Sequence, residues 1–166
     1  MKLRQRIKFL LFLLVLMFFL NACNSSSNSN NNVDLFQYKG SYVGDNSAVV
    51  NSVIHLQGEK HFSGLELKTK EEPYGIIVNY DWSESELNDK ETVINNASYL
   101  FALIQNVDWI TFNFEMVHGR EEYKITREKL QSWYGIELSE IDNEDKLKEL
   151  IQEALEDEKN VNQLFN

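Results

Sequence analysis

The side chains with the clearest capacity for chemistry in this sequence are four carboxylates on one predicted sheet face. The alternation of apolar and polar residues places them together on the outer side of the sheet: Glu66, Asp81, Glu115 and Glu122. Two neighbouring carboxyl groups can act as the acid and the base of glycoside cleavage. Lys68, Lys70 and Lys124 share the face, and mixed charge is typical of a solvated sheet surface. A carboxylate hydrolase is therefore our second hypothesis rather than our first.

The histidines and the single cysteine show no metal-ligand or nucleophile pattern. His55, His61 and His118 lie far apart, and no HExxH spacing joins them. One cysteine cannot build a thiolate metal centre. The chain also has no P-loop, no GxGxxG and no GxSxG. We predict no cofactor and no metal site, and we assign no catalytic residue.

Aromatic side chains suggest binding rather than catalysis. Seven of them are predicted to lie near the surface, where they could line a concave ligand or partner site: Tyr38, Tyr42, Tyr74, Trp82, Trp109, Trp133 and Tyr134. The alternative is that they fill the core of a domain without disulfides, and we expect this for most of them. The residues that bind a ligand stay unknown at this level.

The first 22 residues have the pattern of a signal peptide. Four basic residues precede an unbroken apolar run, Phe9–Leu20: Lys2, Arg4, Arg6 and Lys8. A membrane-spanning helix needs roughly twenty apolar residues, so this run is short for a permanent span and has the length of a signal-peptide core. An ordinary secretory signal and a retained signal anchor are the alternatives.

Cys23 is the residue for which we predict covalent chemistry. Leu20-Asn21-Ala22-Cys23 resembles the lipobox of bacterial lipoproteins, although Asn21 stands where a small or β-branched residue is preferred. The resemblance implies that the Cys23 sulfur receives a diacylglyceryl group and that signal peptidase II cuts before it. Several acyl chains on one residue hold a protein stably, whereas one chain holds it reversibly. We therefore predict a lipid anchor on the extracytoplasmic face of the cell membrane.

Composition divides the remainder into a tether and a domain. Residues 23–32 comprise the lipidated cysteine and a tract of only Asn and Ser, which predicts disorder. Residues 33–166 have the length of one exported domain. The exported part contains 12 of the 16 Lys and Arg residues and all 26 Asp and Glu residues, so its formal charge is −14. This charge argues against nucleic-acid partners, for which cationic side chains supply most of the affinity.

The predicted elements follow the order α-β-β-α-β-β-α-α. Asp45 caps a first helix that ends before Gly58, and Ser83 with Glu86 suggests a capping box. The other elements are strands at 65–69 and 76–82, a central helix at 91–105, a hairpin at 108–126, and helices at 126–135 and from Asn143. This order predicts an α+β fold, with a small antiparallel sheet of about four strands packed against helices.

The hairpin is the most detailed of these predictions. A two-residue turn at His118-Gly119 fixes its register. The register pairs Val117 with Arg120, Phe114 with Tyr123, Phe112 with Ile125, and Glu115 with Glu122. The last pair places two like charges opposite each other.

Several motifs together resemble one known family. They are Leu35-Phe36-Gln37-Tyr38-Lys39, Tyr42-Val43-Gly44-Asp45-Asn46-Ser47, Leu67-Lys68-Thr69-Lys70-Glu71-Glu72-Pro73-Tyr74-Gly75, Phe101-Ala102-Leu103-Ile104-Gln105-Asn106, Thr126-Arg127 and Trp133-Tyr134-Gly135. The pattern is similar to that of domain-of-unknown-function family 4825, found in lipoproteins of Bacillus-like Gram-positive bacteria, and covers nearly the whole exported domain. Related domains occur beside metallopeptidase sensors that respond to antibiotics. The resemblance implies extracytoplasmic sensing or binding and assigns no catalytic residue.

These observations favour a non-enzymatic binding or sensing module held to the membrane through the lipid on Cys23. Its expected partner is a protein or a small molecule at the cell surface. Two alternatives stay open: the carboxylate hydrolase, and a structural or assembly lipoprotein.

Overall fold

The computed structural model describes residues 33–165, which belong to one compact unit, Val33–Asn166. The predicted signal peptide, Cys23 and the tether lie outside the described residues. The described elements are α1 Asn46–Val53, β1 Phe62–Lys68, β2 Gly75–Asp81, α2 Asp89–Leu103, β3 Trp109–Met116, β4 Gly119–Thr126, α3 Arg127–Tyr134, α4 Glu144–Leu155 and α5 Glu158–Leu164, with short 3-10 helices at Leu35–Tyr38, Glu59–His61 and Leu138–Glu140. Within this range, no helix combines the length and the apolarity that a membrane crossing requires.

The four strands form one sheet in the order β1-β2-β3-β4. This confirms the predicted α+β class and the number of strands. The sheet is mixed rather than wholly antiparallel, because β2 and β3 run parallel while the two outer pairs run antiparallel. Helix α2 explains the parallel pair. It returns the chain from the C-terminal end of β2 to the edge of the sheet where β2 starts, so β3 runs in the same direction as β2. Such a helical crossover joins parallel strands, whereas a tight turn joins antiparallel ones.

Helix α2 forms the centre of the core. Leu100, Leu103 and Val93 are fully buried, in one cluster with Ile76 of β2 and Phe112 of β3. The helix begins two residues earlier than its apolar pattern predicts, at Asp89.

The cap of α2 explains its early start, and the expected capping box is wrong. The Asn88 side chain accepts a hydrogen bond from the Glu91 amide at 3.0 Å. Ser83 instead donates its hydroxyl to Asp81 Oδ1 at 2.7 Å. The start of α2 is therefore fixed by Asn88, five residues after the serine that the sequence suggested.

The predicted cap at Asp45 and the predicted helix starts near Thr126 and Asn143 are confirmed. The side chains of Asp45, Thr126 and Asn143 each accept a hydrogen bond from an amide three residues later. Gly135 ends α3 with a φ of 75°, a left-handed conformation that glycine adopts readily.

The β3–β4 hairpin is confirmed, but its expected register is wrong by one residue on each strand. The turn uses Val117 and His118, so Met116 pairs with Gly119, and Glu115 pairs with Arg120 instead of Glu122. Tyr123 consequently faces Phe112 rather than Phe114, and Ile125 faces Ile110 rather than Phe112. The Arg120 Nε lies 3.6 Å from Glu115 Oε1, so this register replaces a like-charge pair with an attractive one. The pairing is shifted by two residues in total. Because side chains alternate between the two sheet faces with a period of two, each one still lies on the face that the sequence predicted.

Candidate functional site

The sheet face opposite the helices carries mostly polar side chains in rows that cross the four strands. The first row is Lys68, Gly75, Trp109 and Thr126; the second is Glu66, Ile77, Thr111 and Lys124; the third is Gly64, Asn79, Asn113 and Glu122. A fourth row has Asp81, Glu115 and Arg120. The predicted carboxylates therefore lie on this outer face, and only Asp81 and Glu115 are direct neighbours.

Three of the four carboxylates form ion pairs on this face. Glu66 lies 2.6 Å from the Lys68 ammonium, and Arg120 lies 3.6 Å from Glu115 and 3.8 Å from Glu122. All three acids are exposed, and exposed pairs contribute little to stability.

The fourth carboxylate, Asp81, has the wrong pKa shift for a general acid. Two hydrogen bonds from Ser83 lower the pKa of the Asp81 carboxyl. A carboxylic acid that donates a proton near neutral pH needs a raised pKa. The geometry therefore matches a solvated charged surface better than an acid–base pair.

The histidines lie apart in the folded chain. His55 is exposed and donates its Nδ1–H to the Asn51 carbonyl at 2.7 Å. His61 packs edge-on against Trp82, with ring centroids 5.2 Å apart, and His118 is exposed in the hairpin turn. Across residues 33–165, no cluster of three or more His, Cys, Asp or Glu side chains has metal-binding geometry.

Most of the seven singled-out aromatics pack against the protein itself. Trp82 is 4% exposed and belongs to the core, whereas Tyr42 is 58% exposed. Trp133 donates its indole N–H to the Asn160 carbonyl at 3.1 Å, and the Tyr134 hydroxyl bonds to Ser98 at 2.8 Å. Trp109 differs from the others, because its indole lies on the outer sheet face and lines a cavity.

Trp109 is held in place from both sides. Its ring lies across Gly75, so that a Cβ at that glycine would come within 2.1 Å of the indole. Its Nε1–H donates to the Pro73 carbonyl at 3.0 Å. The Lys124 ammonium lies 4.5 Å from the ring centroid, a cation–π distance. The strand register creates this arrangement, because it pairs Trp109 with a residue that has no side chain.

The cavity beside Trp109 has a volume of about 450 Å³ and is called here the Trp109 pocket. It lies where β2 and β3 begin, β4 ends and α3 starts, and it is lined by Pro73, Asp108, Trp109, Lys124, Thr126, Arg127, Glu128 and Gln131. Asp108 joins these segments: its carboxylate accepts from the Tyr74 amide at 2.7 Å, and its carbonyl accepts from the Arg127 amide at 2.8 Å.

Arg127 contributes a positive charge that is satisfied by carbonyl groups. Its guanidinium donates to the carbonyls of Val107 at 2.9 Å, Phe101 at 2.7 Å and Ile104 at 2.6 Å. These bonds close the C-terminal end of α2 and use three of the five N–H groups of an arginine. Desolvation lowers the pKa of Arg127, and nearby Asp108 opposes this shift. Among the described residues, no carboxylate lies within 4.0 Å of the guanidinium.

Gln131 lines the pocket, and its side-chain oxygen is a buried acceptor with almost no accessible surface. Its Nε2 donates to the Glu137 carboxylate, and this bond fixes the amide, because a flipped amide would set two acceptors against each other. The remaining atom, Oε1, is buried and has no hydrogen-bond partner in the described part of the chain. A buried acceptor without a partner costs about 1–3 kcal/mol. Native structures contain few buried polar atoms without a hydrogen-bond partner, so each one needs a physical explanation.

Sequence reasoning singled out only part of this pocket. It noted the aromatic Trp109, the lysine Lys124 and the Thr126-Arg127 motif, but it gave Gln131 no role. No local pattern marks Gln131, because its unused oxygen is a consequence of the contact between α3 and Glu137.

The sequence model described as domain of unknown function DUF4825 matches residues 35–126, more than half of the chain. This protein belongs to the DUF4825 family. The family match ends at Thr126, so it is shorter than the near-complete coverage expected from the motifs, and Trp133-Tyr134-Gly135 falls beyond it. No curated protein and no solved structure matches the chain.

The DUF4825 match covers only part of the pocket. Pro73, Asp108, Trp109 and Lys124 fall within it, whereas Arg127 and Gln131 lie beyond its end. The family part of the chain therefore provides the aromatic wall, and the following helix provides the Arg127 and Gln131 side chains.

Proposed function

We propose that this DUF4825 protein is a non-enzymatic binding module, anchored by a lipid on Cys23 at the extracytoplasmic face of the membrane. Its ligand site is the Trp109 pocket. The anchor is supported by the signal-peptide pattern and by Leu20-Asn21-Ala22-Cys23. The binding role is supported by the geometry of the pocket.

The observation that carries the binding role is a cavity of about 450 Å³ whose aromatic wall, Trp109, is held in place and whose other lining side chains are mostly polar or charged. Small-molecule sites typically have volumes of about 300–1,000 Å³ and combine apolar walls with a few fixed polar groups. The Trp109 pocket meets both conditions.

Thermal unfolding of the full-length protein in detergent micelles tests the binding role. Small polar metabolites and short peptides are added singly. A ligand at one hundred times its Kd contributes about 2.7 kcal/mol, which raises Tm by roughly 8 °C for a domain of this size. Failure of every compound to raise Tm would count against a binding function.

Two leucine variants locate the site. Gln131→Leu replaces an amide side chain that lines the pocket, so we expect the ligand-induced rise in Tm to fall while the free protein stays folded. Gln163→Leu is the matched control, because Gln163 is exposed on α5 and does not line the pocket. An equal loss of the ligand effect in both variants would place the site elsewhere.

Cell fractionation tests the anchor. Cys23→Ala removes the sulfur that carries the lipid, so the variant is expected to leave the membrane or to keep its leader uncut. The normal protein, shortened before Cys23, stays in the membrane fraction. A Cys23→Ala protein that is membrane-bound and normally shortened would contradict lipid anchoring.

A further inference from the structure

The outer sheet face is nearly neutral, although it belongs to a strongly acidic domain. Its four rows carry a net charge of −1, whereas the domain carries −14. The charged members of the face are Lys68, Arg120, Lys124, Glu66, Asp81, Glu115 and Glu122. Because like charges repel, two copies of this domain meet the least electrostatic resistance when they approach each other through this face.

Charge is also arranged by position on the outer face. In the second and third rows the central strands carry only uncharged side chains, and the charged ones stand on the edge strands. The central set is Ile77, Thr111, Asn79 and Asn113. Thr111 and Asn113 are only 7% and 3% exposed, so they present a flat surface. An uncharged centre inside a charged rim is the usual composition of a protein–protein interface.

The second row is complementary to itself. Across the strands it reads Glu66, Ile77, Thr111 and Lys124. A two-fold axis parallel to the strands reverses this order in a second copy and keeps each row opposite its own counterpart. Glu66 then lies opposite Lys124 of the second copy, and Ile77 lies opposite Thr111. The attractive pair occurs twice, once at each edge of the sheet.

Glu66 and Lys124 are both free to form this pair. The Lys124 side chain is exposed, and its ammonium lies over the Trp109 ring without an ion pair in residues 33–165. Glu66 binds Lys68 through Oε2 alone. That pair is exposed and contributes little to stability, so Glu66 can accept a second cation through Oε1.

We propose that the outer sheet face binds a second copy of this chain in a face-to-face dimer, with its two-fold axis parallel to the strands. The first three rows form the contact. The fourth row stays solvated, because Asp81 would otherwise lie opposite Glu115 of the second copy.

The size of this contact predicts a weak dimer. Strands lie about 4.8 Å apart and rise about 3.4 Å per residue, so three rows across four strands cover about 400 Å² of each copy. Such an area is typical of transient complexes. The lipid anchor proposed at Cys23 would favour the dimer, because confinement to one membrane raises the effective concentration of the two copies.

Sedimentation equilibrium of the full-length protein in density-matched detergent micelles tests the dimer, measured at several ratios of protein to detergent. Glu66→Lys and Lys124→Glu each place like charges opposite each other at both edges, so each is expected to weaken dimerisation about tenfold or more. The combined variant Glu66→Lys/Lys124→Glu exchanges the two charges and restores the attraction. We expect its dimerisation to return to within about threefold of normal.

Two control variants make the same charge changes away from the outer face. Glu121→Lys lies on β4, on the opposite sheet face, and Lys60→Glu lies outside the sheet; both residues are exposed. Neither change should weaken dimerisation more than about twofold. Thermal unfolding verifies that every variant is folded.

Chemical crosslinking in the membrane tests the direction of the axis. Differently tagged Glu66→Cys and Lys124→Cys copies are expressed together and treated with a short bis-maleimide. We expect a crosslink between the two variants and none when either is expressed alone, because position 66 faces position 124 and not itself.

Three results would overturn the proposed dimer. The protein could sediment as a monomer at every ratio of protein to detergent, the combined variant could fail to recover what its single variants lost, or Glu66→Cys could crosslink to itself as strongly as to Lys124→Cys. A monomer whose Tm still rose with a ligand would remove the dimer and leave the proposed binding function in place.

Discussion

Gly75 is the residue on which the position of Trp109 depends. An added Cβ would lie 2.1 Å from the indole, closer than real contacts allow. Gly75→Ala is therefore expected to displace the ring, break its hydrogen bond to Pro73 and destabilise the protein by about 1–3 kcal/mol. Urea unfolding measures the loss of stability, and tryptophan fluorescence reports the new environment of the ring.

Gly44→Ala is the matched control for this change. Its Cβ would meet nothing within 4 Å, and its backbone is not left-handed. We expect a change within about 0.5 kcal/mol. Equal losses in the two variants would show that general glycine effects, rather than the Trp109 contact, determine stability.

Buried tyrosines predict loss of stability at alkaline pH. Burial raises the pKa of Tyr134 to about 12, and it also raises the pKa values of Tyr80, Tyr99 and Tyr123. The fold therefore favours the neutral phenol. This contribution is fully present below pH 10, the ordinary tyrosine pKa, and is lost as pH rises towards 12.

Tyr134→Phe isolates one of these groups. The variant loses the hydrogen bond to Ser98, so we expect it to be about 1 kcal/mol less stable at pH 8. Between pH 10 and 12 its stability should fall by about 2 kcal/mol less than that of the normal protein. Urea unfolding across this range measures both curves. Parallel curves would show that Tyr134 does not contribute to the alkaline transition.

At the scale of elements, local sequence signals predicted the helices and strands. They did not predict the parallel strand pairing or the pocket, which depend on contacts between distant parts of the chain. The cap at Asp45 acts within three residues of its own position, so it was visible in the sequence, and Thr126 and Asn143 stand at the predicted helix starts. The parallel β2–β3 pairing depends on how α2 crosses the sheet, which apolar periodicity alone does not encode. The Trp109 pocket combines residues as far apart in the chain as Pro73 and Gln131, so only single members of it could be anticipated.

The start of α2 offers a direct test at this scale. Asn88→Ala removes the side chain that caps Glu91 and should destabilise the protein by about 1 kcal/mol. Ser83→Ala removes only an exposed hydrogen bond to Asp81, so we expect less than about 0.5 kcal/mol. Urea unfolding of both variants compares them. A larger loss in Ser83→Ala would restore the capping box that the sequence suggested.

At the scale of the whole molecule, the two faces of the sheet have different roles. Its inner face and α2 form the core, whereas its outer face presents charged rows and ends at the Trp109 pocket. The proposed binding thus resides on the face opposite the core, where the packing of Trp109 on Gly75 also contributes to stability. This separation predicts that changes in the pocket, such as Lys124→Gln, alter affinity more than they alter Tm.

The most direct test of the account is the ¹⁹F spectrum of the full-length protein labelled with 5-fluorotryptophan. The three tryptophans give three reporters: Trp82 in the core, Trp133 on α3 and Trp109 at the pocket. Phenylalanine variants assign each resonance. When a ligand that raises Tm is added, we expect the Trp109 resonance to shift and the Trp82 resonance to stay in place. A ligand that raises Tm without moving the Trp109 resonance would contradict the assignment of the Trp109 pocket as the binding site.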